Sequence, residues 1–152
     1  MSQPVTVRLP EPAAEELRLI ARREHRSISE IGGRFIEEGL RQHGFPYIEF
    51  RSINGERHAC IKGALQIWQL IMVAKDLDMN AVKVATHLDL KIEPVLSAFQ
   101  YYVAYPEEID LALEENNLGY ERLKAMVPNL RLAIVPIEPG KAKACNVGFL
   151  IR

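Results

Sequence analysis

Histidine and cysteine are the side chains of this sequence with the clearest capacity for metal binding or nucleophilic catalysis. The four histidines are His25, His43, His58 and His87, and their spacing is not that of a metal site. His58 and Cys60 lie two residues apart and would be a base and a nucleophile, but no third partner accompanies them. No glycine-rich phosphate loop is present. We predict that the chain is not an enzyme and holds no metal or cofactor, with a small hydrolase built on His58 and Cys60 as an alternative.

Charge is distributed unevenly along the chain of 152 residues, although its formal net charge is only -1. Residues 1–44 contain seven arginines and seven glutamates, and residues 45–117 contain six basic and eleven acidic side chains. Residues 118–152 contain six basic and two acidic side chains. A chain so close to neutrality has no overall field that attracts nucleic acid or anionic lipid. The final segment is the basic one, and the acidic residues that follow Pro106 are typical of a solvated helix face.

The composition excludes several classes of protein. Hydrophobic residues make up 48% of the chain and charged residues 26%, as in soluble globular proteins. Residues 1–4 lack the basic and apolar pattern of a secretion signal. The most apolar stretch, residues 64–74, is shorter than the roughly 20 residues that span a membrane. Cys60 and Cys145 are far apart in sequence, as is typical of reduced thiols. We predict a cytoplasmic protein without membrane association.

The N-terminal part of the chain has the pattern of one short strand and two helices. Residues 5–9 alternate apolar and polar side chains, which is typical of a strand with one buried face. Pro12 suits the start of a helix, which we predict to end near His25. Ser27 and Glu30 have the spacing of a capping box at the start of a second helix. One strand and two helices with single apolar faces cannot bury a core alone. We therefore predict that two copies dimerise by pairing their strands antiparallel.

Three segments follow one another in this part: V-T-V-R-L-P, an amphipathic helix, and R-S-I-S-E-I at the start of the second helix. This order resembles ribbon-helix-helix repressors of the MetJ and Arc type over about residues 3–44. The resemblance implies that the ribbon enters the DNA major groove with Thr6 and Arg8 as base readers, and arginine suits guanine bidentately. It also implies a phosphate clamp at the start of the second helix, formed by Arg26, Ser27 and Ser29. The alternative is that Thr6 and Arg8 are the solvated face of an edge strand.

Residues 45–117 have the pattern of a second unit. Alternation up to Asn54 and Gly55, a strong turn dipeptide, predicts a hairpin that returns through Ala59 to Ile61. Helical patterns follow at residues 67–77, from Asn80 to Leu88, after a short turn at 89–91, and from Pro106. Helix, short turn and helix is the order of a helix-turn-helix. Because phosphate contacts supply most nonspecific DNA affinity, the net charge of -5 favours a packing and dimer-bracing role.

Two motifs of this unit lie about thirty residues apart: I-K-G-A-L-Q-I-W and A-F-Q-Y-Y-V-A-Y-P-E-E-I-D. They resemble a small winged-helix-like antitoxin domain of the VapB type, whose signature is I-x-G-T-R-I-x-V-W followed by A-x-x-Y-Y and P-E-E-I-D. The matching residues are Ile61, Gly63, Ile67, Trp68, Ala98, Tyr101, Tyr102, Pro106, Glu107, Glu108, Ile109 and Asp110. Ala64 and Leu65 stand in place of the Thr-Arg pair. The resemblance implies a PIN-like ribonuclease toxin as partner.

Residues 118–152 are predicted to form an extended basic C-terminal tail. Connections are expected at 118–120 and 127–129 around a short helix, with an edge strand over 131–137. PIN-like nucleases hold metal with carboxylates, so a basic tail can fill such a site while apolar side chains anchor in a groove. The candidate toxin-binding residues are Arg131, Lys141, Lys143, Phe149, Leu150 and Arg152. A tail folded back on its own domain is the alternative.

The predicted fold is mostly α with short β strands. It consists of an N-terminal ribbon-helix-helix, dimeric through an intermolecular ribbon (1–44), a helix-turn-helix-like domain (45–117) and a tail (118–152). The leading hypothesis is a cytoplasmic type II antitoxin that forms a homodimer or higher oligomer, binds operator DNA and blocks a PIN-like ribonuclease toxin. The alternative is a stand-alone ribbon-helix-helix regulator whose second domain oligomerises or senses a ligand.

Overall fold

A computed structural model describes residues 4–127 of the chain. It divides into two compact units, the first ending at Gly44 and the second beginning at Phe45. Within the described range the chain forms six helices and one two-stranded antiparallel sheet, which confirms the prediction of a mostly α protein with short strands. Between residues 4 and 127, no helix is long and apolar enough to cross a bilayer.

The first unit is a pair of helices, α1 (Glu11–Arg23) and α2 (Ile28–Gly44), which pack against each other. Pro12 lies in the first turn of α1, where its missing N–H costs no helical hydrogen bond. Helix α1 ends two residues before the predicted end, because His25 has a left-handed φ of 53° that a helix cannot accommodate. Residues 4–10 have no regular secondary structure in the single chain. The strand predicted over residues 5–9 was expected to pair with a second copy, so that pairing stays a prediction.

The predicted capping box at the start of α2 is confirmed. The Ser27 backbone N–H donates to Glu30 Oε2 at 2.9 Å, and the Glu30 N–H donates to Ser27 Oγ at 3.2 Å. The Ser27 hydroxyl also donates to Glu30 Oε2 at 2.7 Å, and this bond, with the one from the backbone N–H, lowers the pKa of the Glu30 carboxyl. The start of α2 is therefore fixed by local hydrogen bonds.

The second unit begins with the predicted hairpin, formed by β1 (Ile48–Ile53) and β2 (Glu56–Ile61). Asn54 and Gly55 have φ values of 53° and 87°, so both central residues of the turn are left-handed. That geometry belongs to a type I′ turn, whose twist matches the flanking strands and which favours Asn-Gly. The turn sets the register in which Phe50 lies opposite Ala59.

Four helices complete the unit: α3 (Ile67–Asp76), α4 (Ala81–Leu88), α5 (Ile92–Ala104) and α6 (Pro106–Met126). The Asn80 side chain accepts the Lys83 N–H at 3.1 Å and caps α4, as predicted. Asp89, with φ 52°, ends α4, and residues 89–91 connect α4 to α5. Pro106 stands at the start of α6, where its fixed φ suits the first turn.

The core of the second unit lies between the hairpin and the four helices. Helix α3 packs against α4, α5, α6 and β2, while α5 also contacts β1. The buried side chains of this core are Ile48, Ala59, Ile61, Ile67, Leu70, Ile71, Ala74, Val84, Ala85, Val95, Ala98, Tyr101, Ile109 and Leu113. Because every element contributes to one cluster, the unit can fold around a core of its own.

Helix α6 differs from the sequence prediction. Its 21 residues continue through Leu118, Gly119 and Tyr120, so the connection predicted at 118–120 is wrong and residue 117 falls inside a helix. A glycine inside a helix costs about 1 kcal/mol relative to alanine. Good helix formers, E-R-L-K-A-M, follow over residues 121–126 and continue the helix beyond it.

Candidate functional site

The predicted base readers lie on the segment that precedes α1. Thr6 and Arg8 are exposed there. The alternating apolar residues of the same segment are exposed as well, Val5 by 80%, Val7 by 54% and Leu9 by 48%. The single chain therefore covers neither face of this segment, although one face is apolar.

The apolar faces of α1 and α2 are also incompletely covered. Among the described residues of the first unit, Ala21 and Ile31 are the buried apolar side chains. Four large apolar side chains of the two helices are exposed: Leu19, Ile28, Ile36 and Leu40. Together with Val5, Val7 and Leu9, these side chains leave much apolar surface of the first unit exposed. In the single chain, the first unit therefore buries few apolar side chains and leaves several large ones exposed to solvent.

Arginines gather where α1 turns into α2. We call Arg22, Arg23 and Arg26 the basic turn, and none of the three forms an ion pair within residues 4–127. Arg18, one helical turn earlier, is instead bound by Glu15 at 2.6 Å. Arg26 is near enough to Glu30 to add to the lowering of the pKa of that carboxyl, which the hydrogen bonds from Ser27 dominate. The basic turn therefore presents positive charge that has no ion-pair partner among residues 4–127.

The basic turn is held in place by an ion pair between α2 and the end of α1. Arg34 donates two hydrogen bonds to the Glu24 carboxylate, at 2.7 Å and 2.9 Å, and they raise the pKa of the guanidinium. This two-point geometry is the strong form of an arginine–carboxylate contact. It also occupies the one carboxylate between Arg23 and Arg26.

A concave surface lies at the start of α2, lined by Arg18, Ala21, Arg22, His25, Arg26, Ser27 and Ile28. The backbone N–H groups of Ile28 and Ser29 have no partner among the described residues, whereas those of Glu30 and Ile31 are bound to Ser27. Helix starts with unbound N–H groups attract anions. Of the predicted clamp residues, Arg26 and Ser29 remain open to an anion, but the Ser27 hydroxyl donates to Glu30.

Arg22 is a residue of this surface that the sequence reasoning missed. It follows Arg18 by four residues, so both lie on the same face of α1. The four-residue spacing of the two arginines on a predicted helix is the signal by which the sequence indicates Arg22.

The antitoxin-like motifs supply core and turn residues of the second unit. Ile61, Ile67 and Ala98 are at most 2% exposed. Gly63 has a φ of 69°, a conformation that favours glycine, and its N–H donates to Glu49 Oε1 at 3.1 Å.

The two residues that replace the Thr-Arg pair take part through their backbone. The Arg51 guanidinium donates to the Ala64 carbonyl, and the Ile61 N–H donates to the Leu65 carbonyl at 2.9 Å. Their side chains are not needed for either bond, so the turn forms without the missing pair.

The tyrosines and carboxylates of the second motif bind one another across the corner between α5 and α6. The Tyr101 hydroxyl lies 3.1 Å from Glu108 Oε2, and the Tyr102 hydroxyl donates to Asp110 Oδ1 at 2.7 Å. The second bond lowers the pKa of Asp110, which Lys75 of α3 also contacts at 3.3 Å. We call these five residues the α5–α6 brace. Their polar groups connect α3, α5 and α6.

Comparison of this chain with protein-family models, with curated proteins and with solved structures finds no match. The two resemblances therefore depend on the motifs alone, and the functional argument depends on the geometry of each unit.

His58 and Cys60 do not form a nucleophile with its base. Cys60 is fully buried, and burial raises the pKa of its thiol. The sulfur lies 3.5 Å from the carbonyl oxygen of His58, while the imidazole faces Glu56 at 3.8 Å. A buried thiol of raised pKa is a structural group, since reactive cysteines need an accessible thiolate. Elsewhere in the described part of the chain, no three His, Cys, Asp or Glu side chains gather as metal ligands would.

The predicted toxin-binding residues belong to the tail. Arg131, Lys141, Lys143, Phe149, Leu150 and Arg152 all lie outside the described residues.

Proposed function

We propose that this chain is the antitoxin of a type II toxin–antitoxin pair, dimeric through its first unit, which represses its own operon and neutralises a PIN-like ribonuclease. The observation that carries the proposal is the first unit itself. It combines an uncovered apolar face with a basic turn at the start of α2. A second copy of the chain would bury the apolar face, and DNA phosphates would bind the basic turn.

A second copy of the chain would bury the apolar face formed by Val5, Val7 and Leu9 without the need for another partner. Val5, Val7 and Leu9 alternate with polar residues, so a strand formed from them turns all three to one side. Burying one such side chain contributes roughly 1.5–3 kcal/mol. Strand pairing between two copies would also satisfy backbone groups that the single chain leaves unpaired.

The distribution of bound carboxylates supports DNA as the second ligand. The first unit has equal numbers of arginines and glutamates, yet Glu15, Glu24 and Glu30 are held by Arg18, Arg34 and the helix cap. The three arginines of the basic turn form no ion pair within residues 4–127, although Arg26 is near enough to Glu30 for its charge to act on that carboxyl. Arg8 would read base edges, while the basic turn and the N–H groups of Ile28 and Ser29 would bind phosphates.

The toxin-binding part of the proposal depends on the second unit and the tail. Residues 45–117 carry a net charge of -5, which disfavours contact with nucleic acid, whereas residues 118–152 carry +4. Helix α6 leads toward the tail with Leu118 exposed by 54% and Met126 by 80%. Uncovered apolar groups followed by a basic segment suit a partner with an apolar groove and an acidic metal site.

A stand-alone regulator is the second candidate function. The α5–α6 brace favours it, because Tyr101 and Tyr102 of the antitoxin-like motif bind Glu108 and Asp110 of the same motif within the chain. In that case the second unit would contribute to assembly and no toxin would exist.

Co-expression with the adjacent open reading frame distinguishes the two candidates. We expect native mass spectrometry of the tagged full-length chain to show a complex with a second chain of nuclease size, and the complex to lack ribonuclease activity. A truncation after Asn129 should lose this complex and release the activity, while the dimer persists. A bare dimer from the full-length chain, or full inhibition by the truncated one, would contradict the antitoxin function.

Replacing Arg8 with alanine tests the DNA-binding face. We expect Arg8→Ala to weaken binding to a duplex taken from upstream of the gene by on the order of 1–3 kcal/mol, because a bidentate base contact is lost. Gel-shift titration at fixed salt measures the change, and native mass spectrometry checks that the dimer persists. Arg57→Ala, in the second unit, is the matched control. Equal affinity of Arg8→Ala and the unchanged protein would exclude Arg8 as a reader.

A further inference from the structure

The tip of the hairpin in the second unit leaves the side-chain amide of Asn54 open to its surroundings. Asn54 and Gly55 are both exposed, and no other atom lies within 4 Å of the position that a Cβ on Gly55 would occupy. The Asn54 side chain forms no hydrogen bond with any residue between 4 and 127. The amide carbon of Asn54 is therefore neither shielded by packing nor held by a hydrogen bond.

An exposed asparagine followed by glycine places an electrophile and a nucleophile next to each other. The Gly55 nitrogen can attack Cγ of Asn54, because glycine has no side chain to obstruct the approach. The new N–C bond closes a five-membered imide, the bond from Cγ to the amide nitrogen breaks, and ammonia leaves with the proton of the Gly55 N–H. Water then opens the imide at either carbonyl, which gives aspartate or isoaspartate at position 54.

The other three asparagines of residues 4–127 are held in place, and none of them is followed by glycine. The Asn80 side chain accepts the Lys83 N–H as the cap of α4. The Asn116 amide lies 3.9 Å from the sulfur of Met72. Asn117 lies inside α6, where the backbone N–H groups are bound in the helix. The structure therefore singles out Asn54 among the described asparagines.

The closed turn restrains this reaction. Asn54 has a φ of 53°, in the left-handed region, and the planar imide requires a different backbone conformation at that residue. Ring closure therefore takes place when the turn opens. A two-residue turn at the free end of a hairpin opens more readily than the core of a domain, because few packed contacts oppose the motion.

Isoaspartate at position 54 would change the turn itself. It leads the backbone through Cβ and so adds one carbon to a loop whose type I′ geometry requires two ordinary residues. It also places a new carboxylate close to Glu56. The hairpin brings Ile48, Ala59 and Ile61 to the core, so a turn that no longer closes would loosen the core of the second unit.

We propose that Asn54 is a site of spontaneous deamidation, and that its conversion to isoaspartate weakens the hairpin and destabilises the second unit. The proposal depends on the second unit by itself. It does not depend on the dimer, the DNA or the toxin of the proposed function.

Peptide mapping of the aged full-length protein tests the site. Trypsin releases Asn54 in the peptide 52–57, Asn80 in 76–83, and Asn116 with Asn117 in 92–122. After incubation in mildly alkaline buffer, we expect mass spectrometry to show most of the peptide 52–57 deamidated and the other two unchanged, relative to fresh protein digested in parallel. Incubation in guanidinium chloride should accelerate the conversion at Asn54. An unchanged peptide 52–57, or equal conversion of all three peptides in the folded protein, would overturn the proposal.

Denaturation by urea, followed by the fluorescence of Trp68 in α3, tests the consequence for stability. The matched control is fresh Asn54→Asp, which carries the charge of the product on an ordinary backbone and keeps a dipeptide suited to the turn. We expect the aged protein to unfold at a lower urea concentration than the fresh protein, and Asn54→Asp to unfold with the fresh protein. Equal midpoints of aged and fresh protein would show that the modification does not destabilise the unit. A loss in Asn54→Asp as large as that in the aged protein would exclude the added backbone carbon as the cause.

Discussion

Replacing Tyr101 with alanine is expected to lower the free energy of unfolding of the second unit by roughly 3–5 kcal/mol. The ring is fully buried and packs on Phe45, Phe50 and Tyr105 at centroid distances of 5.3, 6.5 and 4.8 Å. Truncation to alanine would leave a cavity at the junction of β1, α5 and the start of the unit. It would also remove the hydroxyl partner of Glu108.

Trp68 makes this effect measurable for the second unit alone. It is the sole tryptophan of the chain, it lies in α3, and its indole N–H donates to Gln66 Oε1 at 2.8 Å. Its fluorescence during denaturation by urea should therefore report the second unit and not the first. Tyr101→Phe is the matched control, since it keeps the ring and removes a hydrogen bond of about 1 kcal/mol. If both variants lowered the free energy of unfolding equally, the stabilisation by Tyr101 would come from its hydroxyl and not from the packing of its ring.

The same tyrosine shows why a motif is an uncertain guide to a binding site. In the sequence, the adjacent tyrosines and the Pro-Glu-Glu-Ile-Asp run carry the resemblance to an antitoxin domain. In the folded unit Tyr101 contacts Glu108 and Tyr102 contacts Asp110, seven and eight residues away. The corner at Tyr105 and Pro106 brings these side chains together. Local sequence patterns do not encode the angle of that corner, so the brace could not be predicted.

Elements with local stop and start signals were predictable from the sequence. The Asn54-Gly55 turn, the Ser27–Glu30 box and the Asn80 cap all form as expected, because each involves residues within three positions of one another. The stability of each of these local structures depends on backbone conformation and on one or two hydrogen bonds.

Features that depend on tertiary packing were harder to predict from the sequence. Gly119 suggested a connection, but helix formers on its C-terminal side carry α6 through it. The exposed apolar side chains of α5, Ile92, Leu96 and Val103, were not predictable for a different reason. Both faces of α5 are apolar, and only the packing of Val95, Ala98 and Tyr101 shows which face the core takes. Arg22 joins the candidate site because the turn at His25 brings the end of α1 beside the start of α2.

Replacing Val7 with glutamate is expected to dissociate the dimer and to abolish operator binding. In the proposed ribbon, the two copies of Val7 would face the shared core, and two buried carboxylates there would lose hydration without gaining a partner. We expect the dimer dissociation constant to rise on the order of 100-fold or more, which corresponds to about 2.7 kcal/mol. Native mass spectrometry over a dilution series measures this constant, and gel shift with the upstream duplex measures DNA affinity.

Thr6→Glu is the matched control, because it adds the same charge one residue away. In a strand, successive side chains point to opposite faces, so Glu at position 6 would face the DNA and leave the shared core intact. This variant should remain a dimer and lose DNA affinity through repulsion from phosphates. If Val7→Glu stays dimeric, residues 5–9 do not form the shared ribbon. If Thr6→Glu dissociates instead, the two faces of the segment are reversed, and Val5, Val7 and Leu9 would be the residues that face outward.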